Sequence, residues 1–373
     1  MTRKIRLGLI FGGRSAEHEV SLMSARSVLQ AIDPDKYEVT LIGITKAGRW
    51  LAGGDPLRAL AAGEPAATTE AALLGEPGKR ELLGLSPAGD RLSTVAELDV
   101  VFPLLHGPYG EDGTLQGLLE LADLPYVGSG VLASAVAMDK AVCKQVLRAA
   151  GLPVVDWVLA VRPEIERAAA EVAARVEAEL GPYPVFTKPA NLGSSVGVVK
   201  AHNRAEREAA LRESARYDRR VLAERGVNAR EIEVSVLGNT GGAEAPRASV
   251  CGEIVPSREF YDYDAKYVDE ASRLIIPAEL PAATAEHARD CAVRAFQALD
   301  GAGLARVDFL LDRDTGALYL NELNTIPGFT QISMYPKLWE ASGLSYRESI
   351  DRLIELALER QAEKDRTVKT KEG

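Results

Sequence analysis

The chain has 373 residues, 46% of them hydrophobic and 26% charged, with a formal net charge of −10. At roughly 150 residues per domain, this length suggests two or three domains, each able to bury its own core. The acidic balance argues against a nucleic-acid partner, because neutralising phosphates needs a basic surface, and no run of about 18 apolar residues marks a membrane span.

Residues 5–11 form a continuous apolar run ending at Gly12-Gly13, the pattern of a buried parallel strand. Val20, Met23, Val28, Leu29 and Ile32 then recur at helical spacing, and Tyr37 to Ile44 reads as a second strand. The opening is thus strand–helix–strand, an α/β signature. From about Leu51 to Ala96 the pattern dissolves into Ala, Gly, Pro and Glu, and is expected to be an insertion or weakly structured excursion without chemistry. Strand 99–105, helix 114–122, a short strand at Tyr126-Val127 and one helix over 131–150, stopped by Gly151, follow.

A second unit begins near Pro153, with helices at 163–180 and 206–215 and strands at 184–188, 196–200 and 221–224. A third runs from about Glu231, with strands at 231–237, 248–254, 305–311 and 317–323, helix 282–300 and a last helix at 346–360. The tail from Lys364 is polar and expected to fray. Cys143, Cys251 and Cys291 lack C-x-x-C spacing, so reduced cytosolic thiols are expected rather than a disulfide or zinc framework.

Several stretches carry chemistry. Arg306-Val307-Asp308-Phe309 and Asn321-Glu322-Leu323-Asn324 flank a turn-rich stretch. A hairpin with loop 313–317 would set Asp308 opposite Glu322. Two carboxylates and an amide on such a face suit Mg²⁺, which is held by one or two carboxylates plus substrate phosphates; a solvated hairpin face is the bland alternative. Lys188 is delivered by a strand into Pro189-Ala190-Asn191-Leu192-Gly193-Ser194-Ser195, a loop whose small residues let backbone N–H groups reach phosphate oxygens. It is not a Walker A loop, and a plain hairpin turn would look similar. Gly128-Ser129-Gly130-Val131-Leu132-Ala133 matches the dinucleotide fingerprint weakly and reads better as a tight turn. Glu17 and Glu19 after Gly12-Gly13, and the loop His106 to Gly113, both stand where a strand hands over to a helix, where open α/β sheets gather ligands; capping is the bland reading. Tyr261, Tyr263 and Tyr267 crowd a polar loop that could close as a lid.

The order of these motifs resembles the D-alanine–D-alanine ligases of the ATP-grasp superfamily. Leu-His-Gly-Pro-Tyr-Gly-Glu-Asp-Gly, Lys-Pro-Ala-Asn-Leu-Gly-Ser-Ser-Val-Gly and Asn-Glu-Leu-Asn-Thr-Ile-Pro-Gly-Phe-Thr carry the likeness, which spans nearly the whole chain apart from about 51–97 and the tail. The resemblance implies an α/β fold, α+β in its C-terminal part: an open parallel α/β domain (1–140), then an ATP-grasp fold of a central (141–230) and a C-terminal subdomain (231–373), with a lid at 256–270. It implies ATP and two Mg²⁺ (or Mn²⁺), with Asp308, Glu322 and Asn324 as metal ligands. Lys140 and Lys188 would contact the phosphates, Glu224 and the backbone through Val227 the adenine, and Glu231 the ribose; Ser194, Ser195 and Lys266 would also bind the nucleotide. Glu17 would hold the first D-alanine, its carboxylate facing the ammonium, and Val20 and His106 would also bind substrate. Arg306 would stabilise the transferring phosphoryl group and tetrahedral intermediate, and Gly328, Ser333 and Met334 would hold the second D-alanine. Glu17, Ser194 and Tyr267 would form a hydrogen-bonded triad, and Tyr267 favours D-alanine over D-lactate as acceptor.

The departures from the family pattern are Thr187, where an aliphatic residue is common, and Arg225. A cytoplasmic homodimer acting in peptidoglycan precursor synthesis, touching neither nucleic acid nor membrane, is implied. The rivals are another ATP-grasp carboxylate–amine ligase, a D-alanine–D-hydroxy-acid ligase, a nucleotide-binding regulator without turnover, and a dehydrogenase using the Gly128 turn.

Overall fold

The computed structural model describes residues 3–64, 68–86, 88, 90–181, 183–255 and 273–368. The expected lid, with Lys266 and Tyr267, lies outside the described residues, as does the last part of the tail.

Strand β1 (Ile5–Gly12) is the axis of the first unit. It pairs in parallel with β2 (Tyr37–Ile44) on one side and β7 (Val100–Pro103) on the other. Strands buried on both faces need a continuous apolar run, which Ile-Arg-Leu-Gly-Leu-Ile-Phe supplies. Helix α1 (His18–Ala31) covers one face. Gly12 ends β1 with φ +91°, and a Cβ there would lie 2.2 Å from the Ile44 carbonyl oxygen. Only glycine lets the chain turn out of the sheet at that point.

Residues 50–97 correct the expectation of a weakly structured excursion. They form β3 (Trp50–Ala52), helix α2 (Pro56–Ala62), β4 (Thr69–Leu73), β5 (Glu81–Leu85) and β6 (Leu92–Glu97). These strands extend the sheet antiparallel in the order β6-β5-β4-β3-β2-β1-β7, so the N-terminal sheet is mixed rather than wholly parallel. The strands are short, Ala-rich and half-covered, so no apolar run or strong alternation marks them.

Helix α3 (Thr114–Leu121) follows β7. The single helix expected over 131–150 is two, α4 (Val131–Met138) and α5 (Lys140–Ala149). Asp139 takes extended backbone (φ −86°, ψ 100°), and its carboxylate accepts from the N–H groups of Ala141 and Val142. An N-cap inside an apolar periodic run starts a second helix without disturbing the pattern. Lys140 is thereby the first residue of α5.

A four-stranded antiparallel sheet follows, in the order β10 (Val199–Ala201), β9 (Val185–Pro189), β11 (Arg220–Arg225), β8 (Trp157–Val161). Helices α6 (Arg162–Leu180) and α7 (Arg204–Tyr217) pack on it. The third sheet, also antiparallel, runs β14 (Arg273–Ile275), β13 (Arg247–Val255), β12 (Ala229–Asn239), β15 (Ala302–Asp312), β16 (Leu318–Asn324). One of its clusters joins α8 (Ala282–Ala298) to residues of α4 and α5. Helix α9 (Met334–Ala341) has no counterpart in the sequence reading. The final helix α10 (Tyr346–Asp365) starts with a Ser345–Glu348 capping box and buries Ile350, Leu353 and Ile354 in the same core as Leu7, Leu9 and Phe11 of β1. Its end is not frayed at Lys364, whose ammonium lies 2.5 Å from Glu120 and 3.4 Å from Asp123.

Candidate active site

Five pieces of backbone converge: the end of β1 with the start of α1, the loop after β7, the turn between β9 and β10, the β15–β16 hairpin and the loop 325–333. Glu17, at the N-terminus of α1, is only 8% exposed, and its Oε1 accepts from the Ser194 hydroxyl at 2.5 Å. Ser194 and Ser195 both have positive φ, 51° and 57°. Non-glycine residues take this conformation rarely, and two in succession make a sharply folded turn. Gly193 lies against the Glu17 carboxylate, and a Cβ there would come within 3.1 Å of its Oε2, so the carboxylate would have to shift to admit a side chain. Arg14, Ser15, Glu17, Tyr109, Gly193 and Ser194 line a cavity of about 300 Å³, the size of a site for a small molecule.

Beneath this cavity lies a buried polar cluster. His106 is 4% exposed; one ring nitrogen faces the Ile326 carbonyl at 2.9 Å and the other the Ser24 hydroxyl at 3.2 Å. Burial lowers the His106 pKa, which suits a neutral ring donating to the carbonyl and accepting from the hydroxyl. Its nitrogens are engaged with the protein rather than turned into the cavity. Glu111 accepts from the N–H groups of Gly107 (2.7 Å) and Ile326 (3.0 Å), tying the β7 loop to the loop after β16. Burial, joined by the charge of Glu17, pushes its pKa up to about 8. The sequence reading left Glu111 unassigned. Val20 is buried in α1 and offers only apolar surface.

Lys188, near the end of β9, points its ammonium at Glu224 Oε2 (2.5 Å) and Asn321 Oδ1 (3.3 Å). Lys140 donates to the Leu192 carbonyl at 2.6 Å and stands 3.6 Å from Glu322 Oε2. Lys140 thus reaches the loop that Lys188 leads into, while the Lys188 ammonium meets Glu224 and Asn321. Glu224 is 2% exposed and sits between Lys188 and Lys144, its Oε1 lying 3.1 Å from Lys144. Its carboxylate is committed to lysines, so any adenine contact would come from neighbouring backbone; Val227 and Glu231 continue that edge, both half-buried. Thr187, the departure from the family pattern, is fully buried, and its hydroxyl shares a 2.8 Å hydrogen bond with Ser214, whose own hydroxyl donates to the Gly197 carbonyl. The extra hydroxyl is thus satisfied.

The hairpin sets Asp308 opposite Glu322 and Arg306 opposite Asn324. The Arg306 guanidinium forms a two-pronged pair with Asp308 (2.7 Å on each oxygen) and lies 3.0 Å from Glu233. Burial pulls the Arg306 pKa down, and these carboxylates more than reverse it, so the group stays charged. Asp308 also accepts from the Asn324 amide at 3.0 Å. Among the described residues no group of three or more His, Cys, Asp or Glu could hold a metal ion. The expected set is two carboxylates and one amide, all hard oxygen donors on facing strands, and that chemistry fits Mg²⁺.

In the loop 325–333, Phe329 is fully buried against Phe102, Tyr335 and Tyr346, which anchors it on the N-terminal core. Gly328 lies beside the Ser333 hydroxyl, which pairs with Thr330 at 2.8 Å. Met334 opens α9 with its side chain buried beside Leu338 and Ile254, leaving only its backbone for a ligand. The Gly128 turn packs against Ala302 and Gly303, as a tight turn would.

Besides Glu111, three residues escaped the sequence reading. Lys144 falls on the buried stripe of α5 with Ala141 and Leu147, three positions from each, and that spacing was its signal. Asn321 and Glu233 became visible only through strand pairing.

Two family models match, described as D-ala D-ala ligase N-terminus over residues 6–129 and D-ala D-ala ligase C-terminus over residues 146–355. A D-alanine–D-alanine ligase of Thermoanaerobacter sp. (strain X514) is 53% identical over 97% of this chain and 99% of its own length. A D-alanine–D-alanine ligase A of Chromobacterium violaceum is 52% identical over 96% of each. Among solved structures, the D-alanine–D-alanine ligase of Coxiella burnetii superposes with TM-score 0.80 at 37% identity, covering 97% of both chains. The VanG D-Ala:D-Ser ligase of Enterococcus faecalis gives TM-score 0.82 at 33% identity, over 95% of this chain and all of that one. With both halves matched and half of its residues shared across nearly its full length, this chain belongs to the D-alanine–D-alanine ligase family.

Proposed function

We propose that this chain uses ATP to join two molecules of D-alanine. A carboxylate is a poor electrophile at neutral pH. The first D-alanine carboxylate therefore attacks the γ-phosphorus of ATP, and the bond to ADP breaks, leaving D-alanyl phosphate. The amine of the second D-alanine then attacks the acyl carbon, phosphate departs, and the attacking nitrogen gives up a proton. The observation that carries this reading is the Glu17–Ser194 hydrogen bond at the mouth of the 300 Å³ cavity. It sets a buried carboxylate, matched to an ammonium, beside the turn that would cradle the triphosphate.

In this reading Glu17 holds the first D-alanine through its ammonium. The backbone of Ser194 and Ser195, with Lys140 and Lys188, binds the phosphates. Arg306 faces the transferring phosphoryl group and later the tetrahedral intermediate, a preorganised cation where negative charge develops. Gly328, Ser333 and the backbone of Met334 receive the second D-alanine. Asp308, Glu322 and Asn324 would hold two Mg²⁺ (or Mn²⁺), which when bound neutralise the phosphoryl oxygens. We place the enzyme in the cytoplasm as a homodimer. Among the described residues no helix is long and apolar enough to cross a membrane.

Purified protein with ATP, Mg²⁺ and D-alanine is expected to release phosphate and form the dipeptide, while L-alanine does not substitute. D-Alanine-independent or absent phosphate release would overturn the assignment. Because one neighbour is named a D-Ala:D-Ser ligase, D-serine and D-lactate belong in the same assay as competing acceptors.

A further inference from the structure

Lys144 has no part in the mechanism above, yet it is among the most deeply buried cations among the described residues. It is 1% exposed on the inner face of α5, and its ammonium makes no hydrogen bond there. What it has is an ion pair, 3.1 Å to Glu224 Oε1. The other oxygen of the same carboxylate lies 2.5 Å from Lys188, the lysine of the strand that leads into the glycine-serine turn. Three elements, α5, β11 and β9, thus bring two ammonium groups onto one carboxylate.

Burying an ammonium group is unfavourable, and a Leu or Met on this face would pack without that penalty. A charge here needs a reason, and charge counting supplies one. A lone Lys188–Glu224 pair would be neutral, and Lys188 would be held by its own counter-ion. With Lys144 sharing the carboxylate, one positive charge is left over. Lys144 is sealed from solvent, whereas Lys188 lies on the open side, so the surplus is presented there. Burial pushes the Glu224 carboxyl up, but the two lysines outweigh it and hold it at about 2. Burial also pulls Lys188 down, and Glu224 foremost, with Glu322 and Glu231, more than restores it.

We propose that Lys144 is a positioning residue that offsets Glu224 so that Lys188 keeps a free charge for the nucleotide's phosphates. The proposal rests on the ATP reading of this site.

The test compares ADP with adenosine, titrated calorimetrically into the full-length protein in Mg²⁺-containing buffer. The ratio of the two affinities isolates the phosphates and cancels changes at the adenine. In Lys144→Met this ratio is expected to fall about tenfold, the scale of one hydrogen bond to a charged group. In Lys144→Met/Glu224→Gln both a cation and the anion are gone, the surplus charge returns, and the ratio is expected within about twofold of wild type. A purely structural role predicts no such rescue. An unchanged ratio in Lys144→Met, or a double variant no better than the single, would overturn the proposal while leaving the ATP site standing. A wild-type protein that does not prefer ADP would instead remove the ATP reading, and this inference with it. Should Lys144→Met fail to fold, the double variant decides alone: a retained ratio supports the proposal and a lost one overturns it.

Discussion

The hydrogen bond from Ser194 to Glu17 joins the N-terminal sheet unit to the turn of the central sheet, and its removal tests whether those two parts act as one site. Both groups are below 10% exposed and the oxygens are 2.5 Å apart. A hydrogen bond to a charged group contributes about 1.5–3 kcal/mol, and burial moves this one toward the upper end. Ser194→Ala should therefore weaken the first D-alanine by roughly 10- to 100-fold, since each 1.36 kcal/mol is tenfold. Glu17 would grip the ammonium equally in the ground and transition states. The loss should thus fall on the KM for D-alanine and leave kcat nearly unchanged. Ser194 holds φ at +51°, so Ser194→Gly removes the same hydroxyl while relieving the backbone. The two variants should match if the hydroxyl matters and diverge if the turn's strain does. Steady-state phosphate release against D-alanine concentration, with thermal melts to check folding, gives the answer. A KM within twofold of wild type in both variants would refute the reasoning.

Glu322→Ala is expected to abolish turnover by removing a metal ligand, with Mn²⁺ binding in the presence of ADP, followed by electron paramagnetic resonance, lost in parallel; activity retained at saturating ATP would dismiss the metal site. Glu111 supplies a pH prediction. Its folded pKa is raised from 4.5 to about 8, so the stabilisation from its bound proton is complete below the unfolded value and is lost as pH rises through about 8. Urea unfolding of the wild type should show falling stability between about pH 5 and 9, and Glu111→Gln, which cannot ionise, should show a shallower fall. Equal slopes would mean that the carboxyl does not titrate in that window.

How much of this was legible in the sequence depended on the range of the interactions. Strand β1, buried along most of its length, announces itself as a nearly continuous apolar run, and β2 as a shorter one that is buried at its C-terminal end. Glu17 and Lys188 could be picked out because glycine- or serine-rich turns lie beside them, and Asp308 and Glu322 because they are acidic residues on strands with apolar neighbours. Strands β3 to β6 escaped because they are three to six residues long and only partly covered, which needs few apolar residues. The break at Asp139 escaped because an N-cap leaves the hydrophobic period intact. Lys144 is hardest of all, since nothing local explains a lysine on a buried stripe; its partner Glu224 is 80 residues away in sequence and adjacent only in space.

The hairpin shows how a correct loop and a correct pairing still leave part of the register unread. Loop 313–317 does lie between β15, ending at Asp312, and β16, starting at Leu318, and a regular ladder across it would set Asp308 directly against Glu322; the ladder beside the turn instead pairs Leu311 with Leu318. Carried on without interruption, that register would face Asp308 with Asn321. Instead the ladder slips by one between Asp308 and Phe309. Asn321 and Glu322 together oppose Asp308, while Leu320 and Leu323 on either side stay buried. A regular strand alternates and would send one of those two polar side chains into the core. The bulge turns both to the same face, where Asn321 meets Lys188 and Glu322 meets Lys140. One extra residue therefore lets a single strand address both lysines and still present its carboxylate to Asp308. The polar cluster at the hairpin is thus set by a local irregularity that no periodic reading of the strand could anticipate.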